Sequence, residues 1–581
     1  MIFSYRIALF LSCIFALCAV PVSAVQNQQE DIQIAKNTAV VDRSEVVSDS
    51  ADPDKKSAAA KNIETGDSAK TRPASLARVG VNAMQTSSLS MNEAIRMALQ
   101  NNNDIEVARS DVKIAESNLR SLFGFYDPTI TINPLYSNNV QAQPNIFAGA
   151  DSTGVVSQSQ FSANTSFSHF IKPGGGNYNV FFNNTRTRTS STASTLNPSF
   201  TSRLGVSFTQ PILRNRQIDQ TRRQIKIQKK VIAQSDADFR RRTIEVIAQV
   251  QRAYWDLVFA LRDQQNRMAN LDLSKENLRQ VEARIAAGAA APLEKAEVTT
   301  ELANRESDLL LASQQVSITE NTLKQLLLKD ISSPQWSQSF VPTDTPVFSD
   351  DPVDLTAAVR DAVANRPELQ NLSLQSEINK IDLEYFKNQV KPQIDFNTSF
   401  SLDGLAGTTA DGQAGVSVNP AFVGGYGKSL SNLFSTDYRT FSAGVTISFP
   451  LRNKTAKADL ATAEYQSERI AAQERSQEQV VIAEVRNAVQ AVETSRQRVL
   501  TSRRARENAE IQLAGERQLF AAGRSTTFLL FQRENALTNA RNAEIRAETD
   551  YNKALADLQR ATSTTFAVNN IVIDSPRRTG N

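Results

Sequence analysis

The sequence predicts an α+β membrane protein in which transmembrane β-barrel strands are joined to very long helices, built from two internal structural repeats per chain. Three observations lead to this fold class: segments that alternate between apolar and polar residues, stretches of more than seventy residues almost free of proline and glycine, and a duplication of both features in the same order. With 581 residues, 22% charged side chains and a mean hydropathy of −0.35, the chain is not a polytopic helical membrane protein.

The amino-terminal 24 residues have the features of a cleaved signal peptide. Arg6 precedes an apolar run over residues 7–20, and Ala24 ends a small-residue cleavage site. Both cysteines, Cys13 and Cys18, lie within this segment. The exported chain is therefore predicted to have no thiol, no disulfide and no cysteine-based metal site.

Four further segments follow the signal peptide. Residues 25–88 are rich in Ala, Ser, Asp, Lys and Gln and contain few large apolar residues, which is typical of a disordered spacer. Residues 89–345 and 346–566 are predicted to be the two repeats, and residues 567–581 a carboxy-terminal tail.

The two repeats align with one another residue by residue. A shift of 264 residues places Pro128 on Pro392 with no gap over forty positions, and a shift of 235 places Gly288 on Gly523. Each repeat therefore predicts the order helix, helix, strand, long loop, strand, very long helix, glycine turn and helix.

The very long helices are predicted from the absence of helix breakers. The 76 positions between Pro211 and Gly288 contain neither proline nor glycine, and at about 1.5 Å per residue such a helix spans roughly 100 Å. Apolar residues recur in it every seven positions, as do Val485, Val492 and Val499 in the second repeat, and this is the coiled-coil spacing. Polar residues flank this line on both sides. A closed ring of helices with water on both sides fits the pattern, and so does a fibrous rod.

The β strands are predicted from strict alternation. Residues 441–449 have an apolar residue at every odd position and a small or hydroxylic residue at every even position, which is typical of a barrel strand between lipid and an aqueous lumen. Related patterns occur near residues 129–135, 200–209 and 394–402. The predicted lipid-facing residues are Phe441, Val445, Ile447 and Phe449. The alternative for any one strand is a half-buried sheet of a soluble domain.

Four strands per chain cannot close a barrel, and an open sheet edge in lipid leaves backbone groups unpaired. Two chains would give about eight strands, whose interior is filled by side chains. Three chains would give twelve, the smallest closed ring of this kind that could conduct, so a homotrimer is predicted. Residues 160–190 resemble a β hairpin that has no counterpart in the second repeat. They would either cover the barrel from outside or add strands to it.

Several motifs occur in a fixed order, some of them duplicated. They are the run Met91-Asn92-Glu93-Ala94-Ile95-Arg96-Met97-Ala98-Leu99-Gln100-Asn101-Asn102, the segments Gln210-Pro211-Ile212-Leu213-Arg214 and Ala253-Tyr254-Trp255-Asp256-Leu257, and the Ala-Ala-Gly turns ending at Gly288 and Gly523. In these motifs, over roughly residues 89–565, the chain resembles the TolC-type outer membrane efflux proteins, or outer membrane factors. The resemblance implies a homotrimer whose 12-stranded β-barrel continues into a 12-helix periplasmic α-barrel.

The same resemblance implies a function. The chain would be a passive channel in the outer membrane of a Gram-negative-type bacterium, surrounded by outer membrane lipid, that exports drugs, toxic compounds, metals or polypeptides. It would act in a tripartite efflux or type I secretion system, with a periplasmic membrane-fusion adaptor and an inner-membrane pump of the RND, ABC or MFS class. No cofactor is implied.

The resemblance also places the two glycine turns at the periplasmic tip, where the adaptor docks and the tunnel narrows. The residues of this tip hypothesis are Gly288, Glu294, Glu297, Phe520, Gly523, Arg524 and Ser525. Three copies of Glu294 and Glu297 would form acidic rings that favour cations, whereas Leu529 and Gln532 replace such acids in the second repeat. Ser525 stands where some family members use a basic latch residue, so an arginine latch is not expected there, although Arg524 is adjacent. The alternative for the two acids is a solvated first helical turn.

Other functions fit the sequence less well. A periplasmic structural or adaptor coiled-coil protein without a pore is the main alternative. An enzyme is not predicted, because His169 is the only histidine and no acid cluster with a base or metal set stands out. Tyr254 and Trp255 are predicted to pack between helices rather than to bind a ligand. Ten basic residues lie between Arg214 and Arg242, but export by a signal peptide argues against a nucleic-acid partner.

Overall fold

The computed structural model describes residues 78, 80–143, 149–150, 154–410 and 418–573. The predicted signal peptide, most of the predicted spacer and the end of the predicted tail lie outside these residues. Within the described part of the chain, no helix combines the length and the apolar character that a membrane span requires.

Apart from two short helices of the second repeat, Tyr426–Phe434 and Thr565–Val568, which the sequence did not predict, the helices follow the predicted order. In the first repeat they are α1 (Met91–Asn101), α2 (Asn103–Phe123), α3 (Gln220–Ala286) and α4 (Pro292–Leu327). In the second repeat they are α5 (Leu355–Asn365), α6 (Pro367–Gln389), α7 (Tyr426–Phe434), α8 (Lys454–Ala521), α9 (Thr527–Ala561) and the short α10 (Thr565–Val568). With 67 and 68 residues, α3 and α8 are each about 100 Å long, as predicted. Val485, Val492 and Val499 are buried along α8 at their seven-residue spacing.

The helices form two layers that follow one another along the length of the long helices, and in each layer four helices lie side by side. In the layer nearest the strands the order is α2, α3, α6, α8, and in the second layer it is α4, α3, α9, α8. Ion pairs join neighbouring helices: Arg223 of α3 lies 2.7 Å from Asp382 of α6, and Lys553 of α9 lies 2.8 Å from Asp256 of α3. The two long helices therefore run through both layers, while the shorter ones succeed one another along them.

The strands form two sheets. They are β1 (Asn82–Leu89), β2 (Thr129–Ala142), β3 (Val155–Phe170), β4 (Asn177–Thr189), β5 (Leu196–Pro211), β6 (Gln338–Pro342), β7 (Gln393–Thr409) and β8 (Arg439–Ser448). The larger sheet is antiparallel and has the order β2-β3-β4-β5-β7-β8. The smaller one pairs β1 with β6 in parallel.

The large sheet corrects the predicted strand number. All four predicted strands are present, but residues 160–190 contribute most of two more, β3 and β4, which lie inside the sheet between β2 and β5. The prediction of four strands per chain is wrong, because the described residues form a six-stranded sheet. Three copies of this sheet contain eighteen strands rather than twelve, and two copies contain twelve.

The small sheet corrects the predicted spacer. Disorder up to residue 88 is wrong for residues 82–88, because they belong to β1, which pairs with β6. Two buried residues hold β6 to α4: the carboxylate of Glu320 accepts the N–H of Phe340 at 2.7 Å, and the ammonium of Lys324 donates to the carbonyl of Gln338 at 2.6 Å. Burial lowers the pKa of Lys324.

The main hydrophobic core lies where α1, α2, α3 and α4 meet the small sheet. Tyr254 is fully buried there and Trp255 nearly so. The Tyr254 hydroxyl donates to the carbonyl of Leu89 at 3.0 Å and lies 2.5 Å from the Asp344 carboxylate. Burial raises the pKa of Tyr254. The predicted packing role of Tyr254 and Trp255 is confirmed.

Candidate functional site at the helical tip

Each very long helix ends in the same glycine turn. At the end of α3, the N–H of Ala289 donates to the carbonyl of Arg284 at 2.8 Å, and the N–H of Gly288 donates to the carbonyl of Ile285 at 2.9 Å. These two bonds define a Schellman turn, in which the residue before the last takes a left-handed backbone conformation. Gly288 has a φ of +71° and Gly523, in the equivalent turn after α8, a φ of +70°. Glycine occupies both positions because this conformation is unstrained only without a Cβ atom.

Arg284 connects the two turns. Its guanidinium lies 5.4 Å from the ring centroid of Phe520 and 3.9 Å from the carboxylate of Glu294. Arg284 and Glu294 belong to the hairpin of α3 and α4, whereas Phe520 belongs to the last turn of α8. Arg284, Glu294 and Phe520, which we call the tip clasp, therefore hold one helical hairpin against the other.

The remaining predicted tip residues lie beside the clasp. The Ser525 hydroxyl donates to the carboxylate of Glu516, which is on α8 of the same hairpin. Arg524 is exposed, and its side chain has no ion-pair partner among the described residues. The α3–α4 hairpin has a second ion pair, between Lys295 and Glu282 at 3.0 Å. An arginine does join the hairpins, but it comes from α3 and not from the position of Ser525.

Glu297 lies in a groove between α4 and α9. The groove has a volume of about 590 Å³ and is lined by Glu297, Thr300 and Glu301 of α4 and by Phe528, Phe531 and Gln532 of α9. The ring of Phe528 is largely exposed to solvent. Glu301 is already paired with Arg305 of α4 at 2.7 Å, so Glu297 supplies the carboxylate that faces the aromatic rings without an ion-pair partner among the described residues. This arrangement is suited to a partner helix that carries both apolar and basic side chains.

A buried carboxylate lies close to the groove. Glu534 of α9 accepts a hydrogen bond from the side-chain amide of Asn277 of α3 at 3.2 Å and lies 3.5 Å from the guanidinium of Arg517 of α8. Burial raises the pKa of Glu534, and the charge of Arg517 only partly opposes this effect. Glu534 thus links α9 to both α3 and α8 near the tip.

The predicted lipid-facing residues lie on one face of β8. Phe441, Val445 and Ile447 are all exposed, and Phe449 follows the last residue of the strand and is also exposed. Their register partners on β7 are apolar as well.

This apolar face continues across the whole large sheet. In register order it carries Ile394, Phe396 and Phe400 on β7, Leu204 and Val206 on β5, Val180 and Phe182 on β4, Phe161 and Phe167 on β3, and Ile130 and Ile132 on β2. Because successive strand residues point to opposite faces, the other face carries mostly serine, threonine, asparagine and glycine. In the half nearest the helices, the sheet thus has one apolar face and one polar face along all six strands. Toward the far end, the same face carries Arg186 and Arg188 of β4, and α7 packs against it through Ser429, whose hydroxyl donates to Ser202 at 3.1 Å.

Sequence reasoning located the glycine turns but missed Arg284 and Glu534. A basic residue in the last turn of a helix is common because it complements the helix dipole, so Arg284 carried no distinct signal. Glu534 is one acid among many on a polar helix, and only packing shows that it is buried. Among the described residues, no group of three or more histidines and acids could hold a metal ion.

Comparisons with known proteins agree with this architecture. A family model described as outer membrane efflux protein matches residues 178–327 and 358–564. No curated protein sequence matches the chain. Among solved structures, the chain is similar to a membrane protein from Pseudomonas aeruginosa, with 18% identity, a TM-score of 0.56, and coverage of 81% of this chain and 90% of that one.

Two further structures are similar to the chain over most of its length. The CmeC outer membrane channel of Campylobacter jejuni has 15% identity and a TM-score of 0.57, and the match covers 83% of this chain and 90% of that one. The MtrE outer membrane channel of Neisseria gonorrhoeae, in its open state, has 16% identity and a TM-score of 0.54, with 81% and 88% covered. These likenesses show a shared fold, and the family model matches more than half of the residues: the chain belongs to the outer membrane efflux protein family.

Proposed function

We propose that this outer membrane efflux protein is a passive channel formed by three copies of the chain, in which the large sheets close a barrel in the outer membrane and the helices form a periplasmic tunnel. It catalyses no reaction. It exports substrate that reaches its tip through a periplasmic membrane-fusion adaptor from an inner-membrane pump of the RND, ABC or MFS class. Its exported substrates belong to the drugs, toxic compounds, metals or polypeptides that such systems carry.

The apolar face of the large sheet carries this proposal. It extends over six strands, whereas the opposite face is lined by hydroxyl and amide groups. An apolar exterior and a polar interior are what a membrane barrel around water requires. The two outer strands of the sheet have backbone groups without partners in one chain, and in lipid each such group costs several kcal/mol. The sheet must therefore close with further copies.

The helices support three copies rather than two. Four helices lie side by side in each layer, so three chains supply the twelve helices that the family resemblance implies. The outermost helices also expose apolar side chains, as expected where copies meet. These are Val480 and Ile511 on α8, Val107 and Ile114 on α2, and Leu311 and Ile318 on α4.

The tip supports a gated entrance and an adaptor site. The clasp holds the α3–α4 hairpin to the α8–α9 hairpin, and opening requires these hairpins to separate. The groove beside it has the exposed ring of Phe528 and the carboxylate of Glu297, which an adaptor helix could cover. Gly288 and Gly523 shape the two turns that would meet the adaptor, with Arg524 and Ser525 next to the second turn.

Glu294 and Glu297 have different roles in the proposed acidic rings. Glu294 is half-buried and paired with Arg284, whereas Glu297 is exposed and has no ion-pair partner among the described residues. Three copies of Glu297 would therefore supply most of the charge that favours cations. Replacing Glu297 with Gln should reduce cation preference in bilayer recordings more than replacing Glu294 with Gln does. Equal ion selectivity of wild type and both variants would refute the ring.

Conductance of the purified protein tests the proposed function. The full chain should require detergent for extraction from outer membranes and should show discrete conductance steps in a planar lipid bilayer. A periplasmic coiled-coil spacer would instead be recovered in the soluble fraction and would show no conductance. That result would refute the channel.

A further inference from the structure

The β3–β4 hairpin is part of the large sheet and does not lie over it. Every residue of β2 from Thr129 to Ala142 pairs in register with β3, and β4 pairs in turn with β5 from Asn177 to Thr187. The hydrogen bonds that would join β2 to β5 directly are thus replaced by two complete strands. A lid would leave β2 and β5 as neighbours.

The turn of this hairpin is fixed at the junction of strands and helices. The side-chain amide of Gln210 donates to the carbonyl of Gly174 at 2.8 Å, and the ammonium of Lys172 lies 4.6 Å from the ring centroid of Phe123. Gly175 has a φ of +71°, and a Cβ atom there would lie 2.6 Å from the guanidinium of Arg222. The hairpin therefore spans the full height of the sheet, from this junction to the far end.

Its two faces also match those of its neighbours. Val180 of β4 is level with Phe167 of β3 and Val206 of β5 on the apolar face. Asn179 of β4 is level with Ser207 of β5 on the polar face. In the rows of Val180 and Phe182 the apolar face thus continues across the hairpin, which lipid contact on β3 and β4 requires and an external lid does not. Arg186 and Arg188 occupy this face only toward the far end of β4.

The free edges of the sheet are β2 and β8, and all of their residues are exposed in one chain. β2 follows α2 and leads away from the helices, whereas β8 leads back to α8. Placed side by side, β8 of one copy and β2 of the next are therefore antiparallel, like every other pair in the sheet.

We propose that three copies pair these edges and close a barrel of eighteen strands, in which the β3–β4 hairpin is a widening insertion. This inference rests on the proposed trimer. Barrel diameter grows about linearly with strand number, so eighteen strands give a barrel roughly 1.5-fold wider than twelve and reach the size that leaves an aqueous channel in porins. The helical ring keeps twelve helices, so the tip, and not the barrel, limits the size of what passes.

Disulfide cross-linking in outer membranes tests the strand order. Both native cysteines lie in the predicted signal peptide, so introduced cysteines are the only thiols of the exported chain. The pairs Thr131→Cys with Ser166→Cys and Asn179→Cys with Ser207→Cys should form disulfides within one chain, because each pair is in register. The control pair, Thr131→Cys with Ser207→Cys, should remain reduced, since two strands separate its members.

A second test concerns the face of β4. Val180→Asp should abolish the membrane-assembled trimer or reduce it severalfold, as Val206→Asp should on β5, whereas Asn179→Asp on the polar face should leave it at the wild-type level. Assembly is measured as heat-sensitive trimer on gels of outer membrane extracts.

A third test concerns the edges of the sheet. An interchain pair, Thr131→Cys with Ser442→Cys or Thr446→Cys, should yield covalent trimers through the β2 and β8 edges.

The outcomes separate the two proposals. If trimers form but Thr131→Cys cross-links to Ser207→Cys, or if Val180→Asp assembles like wild type, the eighteen-stranded barrel is overturned and the trimeric channel stands. If the protein is monomeric or dimeric in detergent, the trimer fails and the barrel of eighteen strands fails with it.

Discussion

Replacing Arg284 with alanine tests the tip clasp. The ion pair with Glu294, at 3.9 Å with side chains 42% and 29% exposed, contributes about 0–1 kcal/mol. Stacking of the guanidinium over Phe520, at 5.4 Å, contributes about 0.5–1 kcal/mol at an exposed site. One clasp thus contributes about 0.5–2 kcal/mol, and the three clasps of the proposed trimer, if they break together, about 1.5–6 kcal/mol. Since about 1.4 kcal/mol is tenfold, the ratio of closed to open tips should fall at least roughly tenfold and at most roughly 20,000-fold.

Single-channel recording in planar lipid bilayers measures this ratio as open probability. Arg279→Ala is the matched control, because it removes the same charge from α3, while the one ion-pair partner of Arg279 among the described residues, Glu276, is on the same helix at 3.5 Å. Arg284→Lys should fall between wild type and Arg284→Ala, since it keeps a cation for Glu294 but loses most of the planar stacking on Phe520.

Two results would contradict the clasp. One is an open probability of Arg284→Ala equal to that of wild type. The other is an equal increase in Arg279→Ala, which would show that loss of positive charge near the tip, and not the contact between hairpins, opens the channel.

Three further changes test the strand face, the turns and the buried carboxylate. Val445→Arg should weaken membrane assembly by about 2–4 kcal/mol, whereas Ser442→Arg on the polar face should not; equal trimer yields would reverse the face assignment. In Gly288→Val the new Cβ atom meets no neighbouring atom within 4 Å, but the valine must adopt a φ of +71°, which costs about 1–2 kcal/mol. Adaptor-dependent export should therefore fall while the protein still folds. The control variant Gly515→Ala, inside α8, should raise the melting temperature. Burial raises the pKa of Glu534 above its ordinary 4.5. Its protonated form therefore stabilises the fold at low pH, and this contribution is lost as pH rises through the raised pKa. In Glu534→Gln the melting temperature should vary less between pH 4 and pH 8, and a pH profile equal to that of wild type would contradict the effect of Glu534 on stability.

The sequence predicts those parts of the fold that local pattern determines. β8 alternates strictly and α3 lacks helix breakers, so each is predictable from neighbouring residues alone. The hairpin of β3 and β4 is visible in the sequence, but its place between β2 and β5 is set by backbone pairing with distant strands. β1 has weak alternation, and its partner β6 lies about 250 residues away, so no local signal identifies it.

The residues of the tip also differ in how far the sequence predicts them. Glycine is required at Gly288 and Gly523 by a backbone angle that other residues adopt only with strain, so the turns are predictable from the sequence. The contact of Arg284 with Phe520 joins residues more than 230 positions apart and depends on how two hairpins pack. The same packing decides which acids of α4 form ion pairs. Glu294 is paired with Arg284, whereas Glu297 has no ion-pair partner among the described residues.

The free edges of the strand layer and of the helix layers coincide, and this constrains how copies can meet. From one edge to the other, β2, β5, β7 and β8 connect directly to α2, α3, α6 and α8, which lie side by side in the same order. One rotation that brings β8 against the next β2 therefore also brings α8 against the next α2, and both α8 and α2 expose apolar residues. The β3–β4 hairpin adds width to the strand layer alone, so the same rotation must span six strands and four helices. Because strand tilt and barrel radius are linked, the proposed trimer would accommodate the extra hairpin by a wider barrel or by a change in strand tilt, since the hairpin adds strands and leaves the order of the helices unchanged.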